Sequence, residues 1–417
     1  MSPAGMTSLP DTERPDGAAA ALRDTAAVRE RARQLLDRAR AGASPWFSVH
    51  DAALPAAAAT VAAVTRSRYP DLAIPYHSRW RHFEAGGVDR TADLDARLVS
   101  ASVRDRARVT IDLAVVSVLL DAGAGPDWHF DEPGTGLRFA RSEGLGVASW
   151  HAFVGGLFSG DIDHPLQVDA VGLRRLDAAT LAQAFQAGPS APLVGLDGRV
   201  RVLHRLADVL TEQPEVFGHD ARPGGLFDAL CAHTETIAAQ DILSQLLSSM
   251  SAIWPAANAI GGLPLGDCWR HPAVSGPGLT AGWMPFHKLS QWLSYSLLEP
   301  FEWAGVRVVG RDGLTALPEY RNGGLLLDTG ILRVRDPAMS AHVWAVDDEM
   351  IVEWRALTVA LLDELAPLIR AELGVDADTM PLACVLEGGT WAAGRATAQE
   401  LRGGLPPLTI HSDGTVF

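Results

Sequence analysis

The sequence predicts a mainly α, multi-helix globular fold with few short strands, and three apolar stripes carry that expectation. Phe286, Leu289, Trp292, Leu293, Leu297, Leu298 and Phe301 recur at the three- and four-residue spacing of one helix face. Ile351, Trp354, Leu357, Thr358, Leu361 and Leu362 repeat the pattern, and Val28, Ala32, Leu35 and Leu36 mark a third helix. Helices rather than an extended sheet therefore supply the core.

In chain order, residues 1–17 read as a disordered polar tail, and a helix runs from about Ala18 to Arg40, stopped by Gly42 and Pro45. A helix from about Leu54 to Thr65 leads into a loop kept irregular by Pro70 and Pro75. That loop collects His77, Arg79, Trp80, Arg81, His82 and Phe83, and arginine forks suit an anion as well as they suit the chain's own carboxylates. An apolar helix around Ala107–Leu120 ends at Asp121, which is placed to face a cavity. The glycines beyond it follow no strand and lack both G-x-G-x-x-G and GK[ST], so a dinucleotide or P-loop site is rejected.

Ser142 is the expected N-cap of the next helix. Helices over Leu173–Ala187 and Gly225–Leu247 follow, and a Gly/Pro-rich loop ends near Gly282. The Phe286 helix should stop near Pro300, and Glu319-Tyr320-Arg321 should sit on a restricted turn between a proline and two glycines. A final helix bends or ends at Pro367, and a short helix and an irregular tail close the chain. The expected division is an N-terminal helical part over 18–165, a helical insertion and loop over 166–280, and a site-bearing part over 281–417, packed as one unit.

Bulk properties narrow the function. A net charge of −15 argues against a nucleic-acid partner, which needs clustered basic surface. The 3 cysteines are widely spaced, so neither a disulfide framework nor a structural zinc site is expected, and a reducing cytoplasm fits. No apolar run is long enough for a membrane span. His77, His82, His129 and His151 show no metal-ligand spacing, so neither metal nor cofactor is expected. A small-molecule partner fits this balance, and it leaves room for a homo-oligomer.

On one face of the Phe286 helix Lys288, Gln291 and Tyr295 place a cation, an amide and a phenol together. The segments IPYHSRWRHF, LLDAGAGPDW, RSEGLG, LPEYRNGG, GGTWAAGR and SDGTVF resemble the uracil-catabolism family long catalogued as a domain of unknown function, over nearly the whole chain. That family is tied to a route carrying uracil through a ribosylated form to urea. The C-terminal half also resembles the queuosine salvage N-glycosylases, which have a helical fold similar to DNA glycosylases. Lys288 with Gln291, Leu314-Thr315, Glu319-Tyr320-Arg321, Gly330-Ile331-Leu332, and later Glu387 and Trp391, fall in that family's order. Its triplet usually begins with aspartate, so Glu319 implies a different ribosyl substrate.

The resemblances imply hydrolysis of an N-ribosidic bond, such as that of ribosylurea or its phosphate. This chemistry needs a carboxylate beside an oxocarbenium-like centre and a way to neutralise the leaving nitrogen. Glu319 is the expected carboxylate; Glu387, Asp121 and His287 are candidates for leaving-group help, and the residues leave that choice open. Lys288, Arg321, Arg79, Arg81 and His82 are expected to bind substrate charge, with Gln291, Trp292, Tyr320 and Trp391 also lining the substrate. The alternatives are hydrolysis or deamination of a ring-opened pyrimidine, or a non-catalytic partner that binds such an intermediate.

Overall fold

In the computed structural model, which describes residues 10–254 and 258–411, the secondary structure is mainly α with short two-stranded pairings only. Residues 1–9 of the expected tail and the SDGTVF motif lie outside the described residues. Order starts earlier than the composition suggested. Pro15 at the first helical turn opens a helix to Leu22, and Asp24 then caps a second, Thr25–Arg40, by accepting from Ala26 N.

One apolar cluster draws residues from Val28 to Leu408, with the helix Glu349–Leu373 at its centre. That helix packs on Thr25–Arg40 and on Leu54–Arg68, while Lys288–Trp303 packs on Val103–Leu119 and on Ala239–Met250. The helix Tyr320–Asp328 lies along Trp391–Arg402. Several strand pairings tie distant parts of the chain. Phe47–Val49 runs antiparallel to Leu332–Val334, and Thr236–Ala238 runs parallel to Arg307–Val309.

Several boundaries differ from the sequence reading, each for a local reason. Phe286 belongs to the approach after the strand Trp283–Pro285, and the helix begins at Lys288. It then continues through Pro300 to Trp303. Proline has no N–H for the carbonyl four residues back, and here Trp80 Nε1 donates 2.8 Å to that Ser296 oxygen instead. The central helix likewise runs on through Pro367 to Leu373. Trp80–Phe83 forms one helical turn, and Ala140, not Ser142, precedes the helix Arg141–Val154.

Leu173–Ala187 divides into Ala170–Arg174 and Ala178–Ala184, and Gly225–Leu247 is broken by the strand Thr236–Ala238. The Gly/Pro-rich stretch holds short strands, among them Cys268–Arg270 paired with Trp283–Pro285. The expected turn at Glu319 is a helix start instead. Gly323 serves packing: a Cβ there would lie 2.7 Å from the Trp354 ring, so only glycine lets the two helices close together. Gly394 does the same from the other side, where a Cβ would lie 2.2 Å from the Arg321 carbonyl oxygen.

Candidate functional site

Glu319 is the N-cap of the helix Tyr320–Asp328. One carboxylate oxygen accepts from Arg321 N and the other from Asn322 N, each at 2.6 Å. Both oxygens are therefore fixed by backbone, which leaves the carboxylate no rotamer to wander into. Lys288 opens the helix that packs beside this segment, and its ammonium acts directly on the Glu319 charge.

What holds these two residues together is a pair that the sequence reading passed over. Arg355 makes a two-pronged bridge to Asp267, 2.8 Å on each prong, and lies 4.0 Å over the Phe286 ring. Asp267 also accepts from Lys288 N at 2.9 Å, while Arg355 Nε reaches the Pro318 carbonyl at 3.4 Å. The same fork thus touches the start of the Lys288 helix and the residue before Glu319. Gln291 Oε1 accepts from Thr315 N at 3.2 Å, and the Tyr295 hydroxyl donates to Thr315 O at 2.9 Å, lacing the same two segments further along.

Glu319 and Lys288 sit deep in the protein yet keep part of their surface uncovered. Burial pushes the Glu319 carboxyl above its ordinary value, partly offset by the two backbone N–H groups and Lys288. Burial, helped by Arg355, pushes the Lys288 ammonium down, against the charges of Glu319, Asp267 and Asp121. A poorly solvated acid and a poorly solvated base thus act on one another's charge.

A second group begins one turn along the same helix, at Trp292. The Arg79 guanidinium lies 5.5 Å from the Trp292 ring, and the His82 ring meets that indole edge-on at 5.7 Å. Arg79 Nη1 is 3.4 Å from Asp121 Oδ2, and Arg79 Nε donates 2.6 Å to Ser117. Burial, then the charges of Arg79 and His77, holds His82 well below its usual pKa, so its ring is neutral. Among the described residues, Arg79 Nη2, Asp121 Oδ1, His82 Nδ1, Trp292 Nε1, Gln291 Nε2 and Asn322 Oδ1 are buried without a hydrogen-bond partner. Orphaned polar atoms are costly, and this many near one helix calls for an explanation.

Glu387 lies in a π-helical turn, Leu386–Thr390, between two helical pieces. It contacts His77 Nδ1 at 2.8 Å and accepts from Arg68 at 2.9 Å and from the Tyr69 hydroxyl at 3.2 Å. Burial alone would raise its pKa, but the hydrogen bond and charge of His77 and the charge of Arg68 bring it below the ordinary value. The carboxylate is thus engaged by His77, Arg68 and Tyr69 together. Trp391 flanks this histidine at 6.0 Å. The sequence placed His77 with the arginines of the IPYHSRWRHF loop, as part of an anion-binding wall, and gave it no catalytic role.

Other expected residues are engaged elsewhere. His287 Nε2 bonds to the Leu22 carbonyl at 2.9 Å, and its ring borders a separate void of about 10 Å³ beyond Asp267, room for one water. Arg81 pairs with Glu299 at 2.7 Å and with Glu84 at 2.8 Å. Arg321 is buried, donates to Gly404 O at 3.3 Å and lies 4.8 Å over the Tyr320 ring, itself 37% exposed.

The Glu299 contact carries a pH prediction. Burial lifts this carboxyl from 4.5 to about 7, against Arg81 and a 2.6 Å hydrogen bond from Ser78. The folded state holds the proton more tightly than the unfolded one, so stability falls as pH rises from 4.5 through about 7. The loss is on the order of 3 kcal/mol. Denaturation midpoints at pH 5 and pH 8 should converge in Glu299→Gln relative to the unsubstituted protein.

His271, Glu349 and Glu353 cluster closely enough to suggest a cation site. However, Ala273 N donates to His271 Nδ1 at 3.2 Å, which puts the neutral ring's proton on Nε2, the nitrogen facing the glutamates. Arg38 and Ser44 already hold the two Glu353 oxygens. These residues fit a proton and an arginine better than a metal. Among the described residues, no helix is long and apolar enough to cross a membrane.

Fold and interior together define a mainly helical protein with a charged, partly unsatisfied polar centre between the Lys288 and Tyr320 helices. Comparison with known proteins places it: the chain belongs to the family described as "Protein of unknown function (DUF1688)", whose model matches residues 21–417. It is 37% identical over 377 residues to "Uracil catabolism protein 4" of Lachancea kluyveri, covering 82% of this chain and 85% of that protein. It is 36% identical over 399 residues to "Protein urg3" of Schizosaccharomyces pombe, covering 94% and 96% respectively.

Proposed function

We propose that this protein acts in uracil catabolism by hydrolysing the N-ribosidic bond of a ribosylated intermediate, ribosylurea or its phosphate, with release of urea. The printed name of the Lachancea relative supports the pathway. The observation that carries the chemistry is Glu319, a carboxylate with both oxygens held by backbone N–H groups, deep in the protein and within the electrostatic reach of Lys288. A fixed negative charge of this kind suits an oxocarbenium-like centre, which gains positive charge only as the bond breaks. Glu319 sits against the anomeric carbon, steadies that charge and takes the proton of the attacking water.

His77 protonates the departing nitrogen, and Glu387 orients its ring through Nδ1. That division of labour ranks Glu387 as a positioning residue for His77. Lys288 holds Glu319 and a substrate anion, and Trp292 and Trp391 offer flat surfaces for the sugar and the leaving group. Gln291 bonds to Thr315, and Lys288 and Glu319 act on one another's charge, so these four residues are coupled in pairs.

Purified protein should release urea and free pentose in equal amounts from ribosylurea or its 5′-phosphate. Release of ammonia in place of urea would favour attack on the ureido carbonyl and defeat this reading.

A further inference from the structure

We propose that Arg79 and Asp121 form a leaving-group subsite that reads the adjacent N–H and C=O of a flat, uncharged group, with Trp292 and His82 as its walls. Its place beside the scissile bond rests on the hydrolase reading; its recognition chemistry does not.

The contrast among buried ion pairs in this protein points to it. Arg355–Asp267 and Arg90–Glu132 are closed forks, with both prongs between 2.6 and 2.8 Å. Arg79–Asp121 makes a single contact of 3.4 Å, long for a charge-assisted bond. It leaves Nη2 and Oδ1 as a donor and an acceptor without partners. Both groups are buried, Arg79 with no exposed surface and the Asp121 side chain 8% exposed. Leaving two such atoms unpaired costs far more than closing the fork would, unless something else completes them.

A donor and an acceptor offered by the two members of one ion pair complement an amide or ureide edge, whose carbonyl takes Nη2–H and whose N–H gives to Oδ1. Trp292 Nε1, also without a partner, adds a second donor for a carbonyl. Formal charge agrees: guanidinium and carboxylate cancel, and His82 is neutral. Phosphate or carboxylate would be repelled by Asp121. The intact uracil ring and an open-chain ureido group share the favoured edge.

The test uses fragments with no scissile bond, so it needs no turnover and no change at Glu319. Calorimetric titration of the full chain with uracil, 1,3-dimethyluracil, N-methylurea and tetramethylurea separates the cases. At least one N–H-bearing fragment should bind about tenfold tighter than its methylated counterpart, and whichever does identifies ring or open chain. Asp121→Asn, which keeps the shape but weakens the acceptor and leaves the buried Arg79 charge unmatched, should lower the melting point and reduce that preference. Equal affinity for methylated and unmethylated fragments, or no binding by either parent, overturns the subsite. Preference without any N-ribosidic hydrolysis keeps the subsite and removes the hydrolase reading.

Discussion

Replacing Glu319 by alanine is expected to lower kcat/KM on the ribosyl substrate by about a thousandfold, the scale of a lost carboxylate that acts in the transition state. Because Glu319 also caps a helix, the same change should cost about 1 kcal/mol of stability. The two roles separate with Glu319→Ser. Serine is a good N-cap without a charge, so this variant should melt near the unsubstituted protein and stay inactive. A merely structural Glu319 would show the reverse, with activity returning as the cap is restored. Glu319→Gln keeps the size but turns an NH₂ toward a backbone N–H that the carboxylate now satisfies, so it should lose both activity and part of the cap.

The largest stability effect should follow Asp267→Ala. It strands the Arg355 guanidinium in the interior without its bidentate partner, and unpairing one half of a buried bridge costs about 3–5 kcal/mol. Chemical denaturation of Asp267→Ala, of Arg355→Met and of the double variant would measure it, with the double variant recovering part of the loss. Activity should fall as well, since the bridge bonds to Lys288 N and Pro318 O on either side of the candidate site.

The bridge has its own pH signature. Burial opposes the charge on Asp267, but Arg355 and the donors around it hold the carboxyl down to about 2. Its contribution is therefore complete above the ordinary carboxyl value of 3.8 and is lost as pH falls through about 2.

The mainly helical fold was legible in the sequence because its largest elements are amphipathic at helical spacing, and a stripe such as Leu289–Phe301 has no other reading. Boundaries were less legible where proline or glycine was taken at face value. Pro300 looked like a stop because the Trp80 indole that takes over the freed Ser296 carbonyl lies more than two hundred positions earlier. Gly323 and Gly324 looked like a turn because the Trp354 ring that requires Gly323 to lack a Cβ comes from another helix.

The candidate site shows the same division. Lys288, Gln291 and Trp292 share a helix, so their proximity to one another follows from spacing alone. That Arg79 and Asp121 meet beside Trp292, or that Glu387 meets His77, depends on packing between distant segments. Asp267 was passed over because a lone acid in a Gly/Pro-rich loop has no local pattern. Arg355 was passed over because one arginine inside an apolar helical stripe resembles an interruption rather than a strut.

The most direct test of the account is product analysis with ribosylurea, comparing the unsubstituted protein with the folded Glu319→Ser variant. Urea and pentose should appear one for one with the former and fall by about three orders of magnitude with the latter. Equal release by both proteins would mean that the carboxylate at position 319 caps a helix and does nothing more.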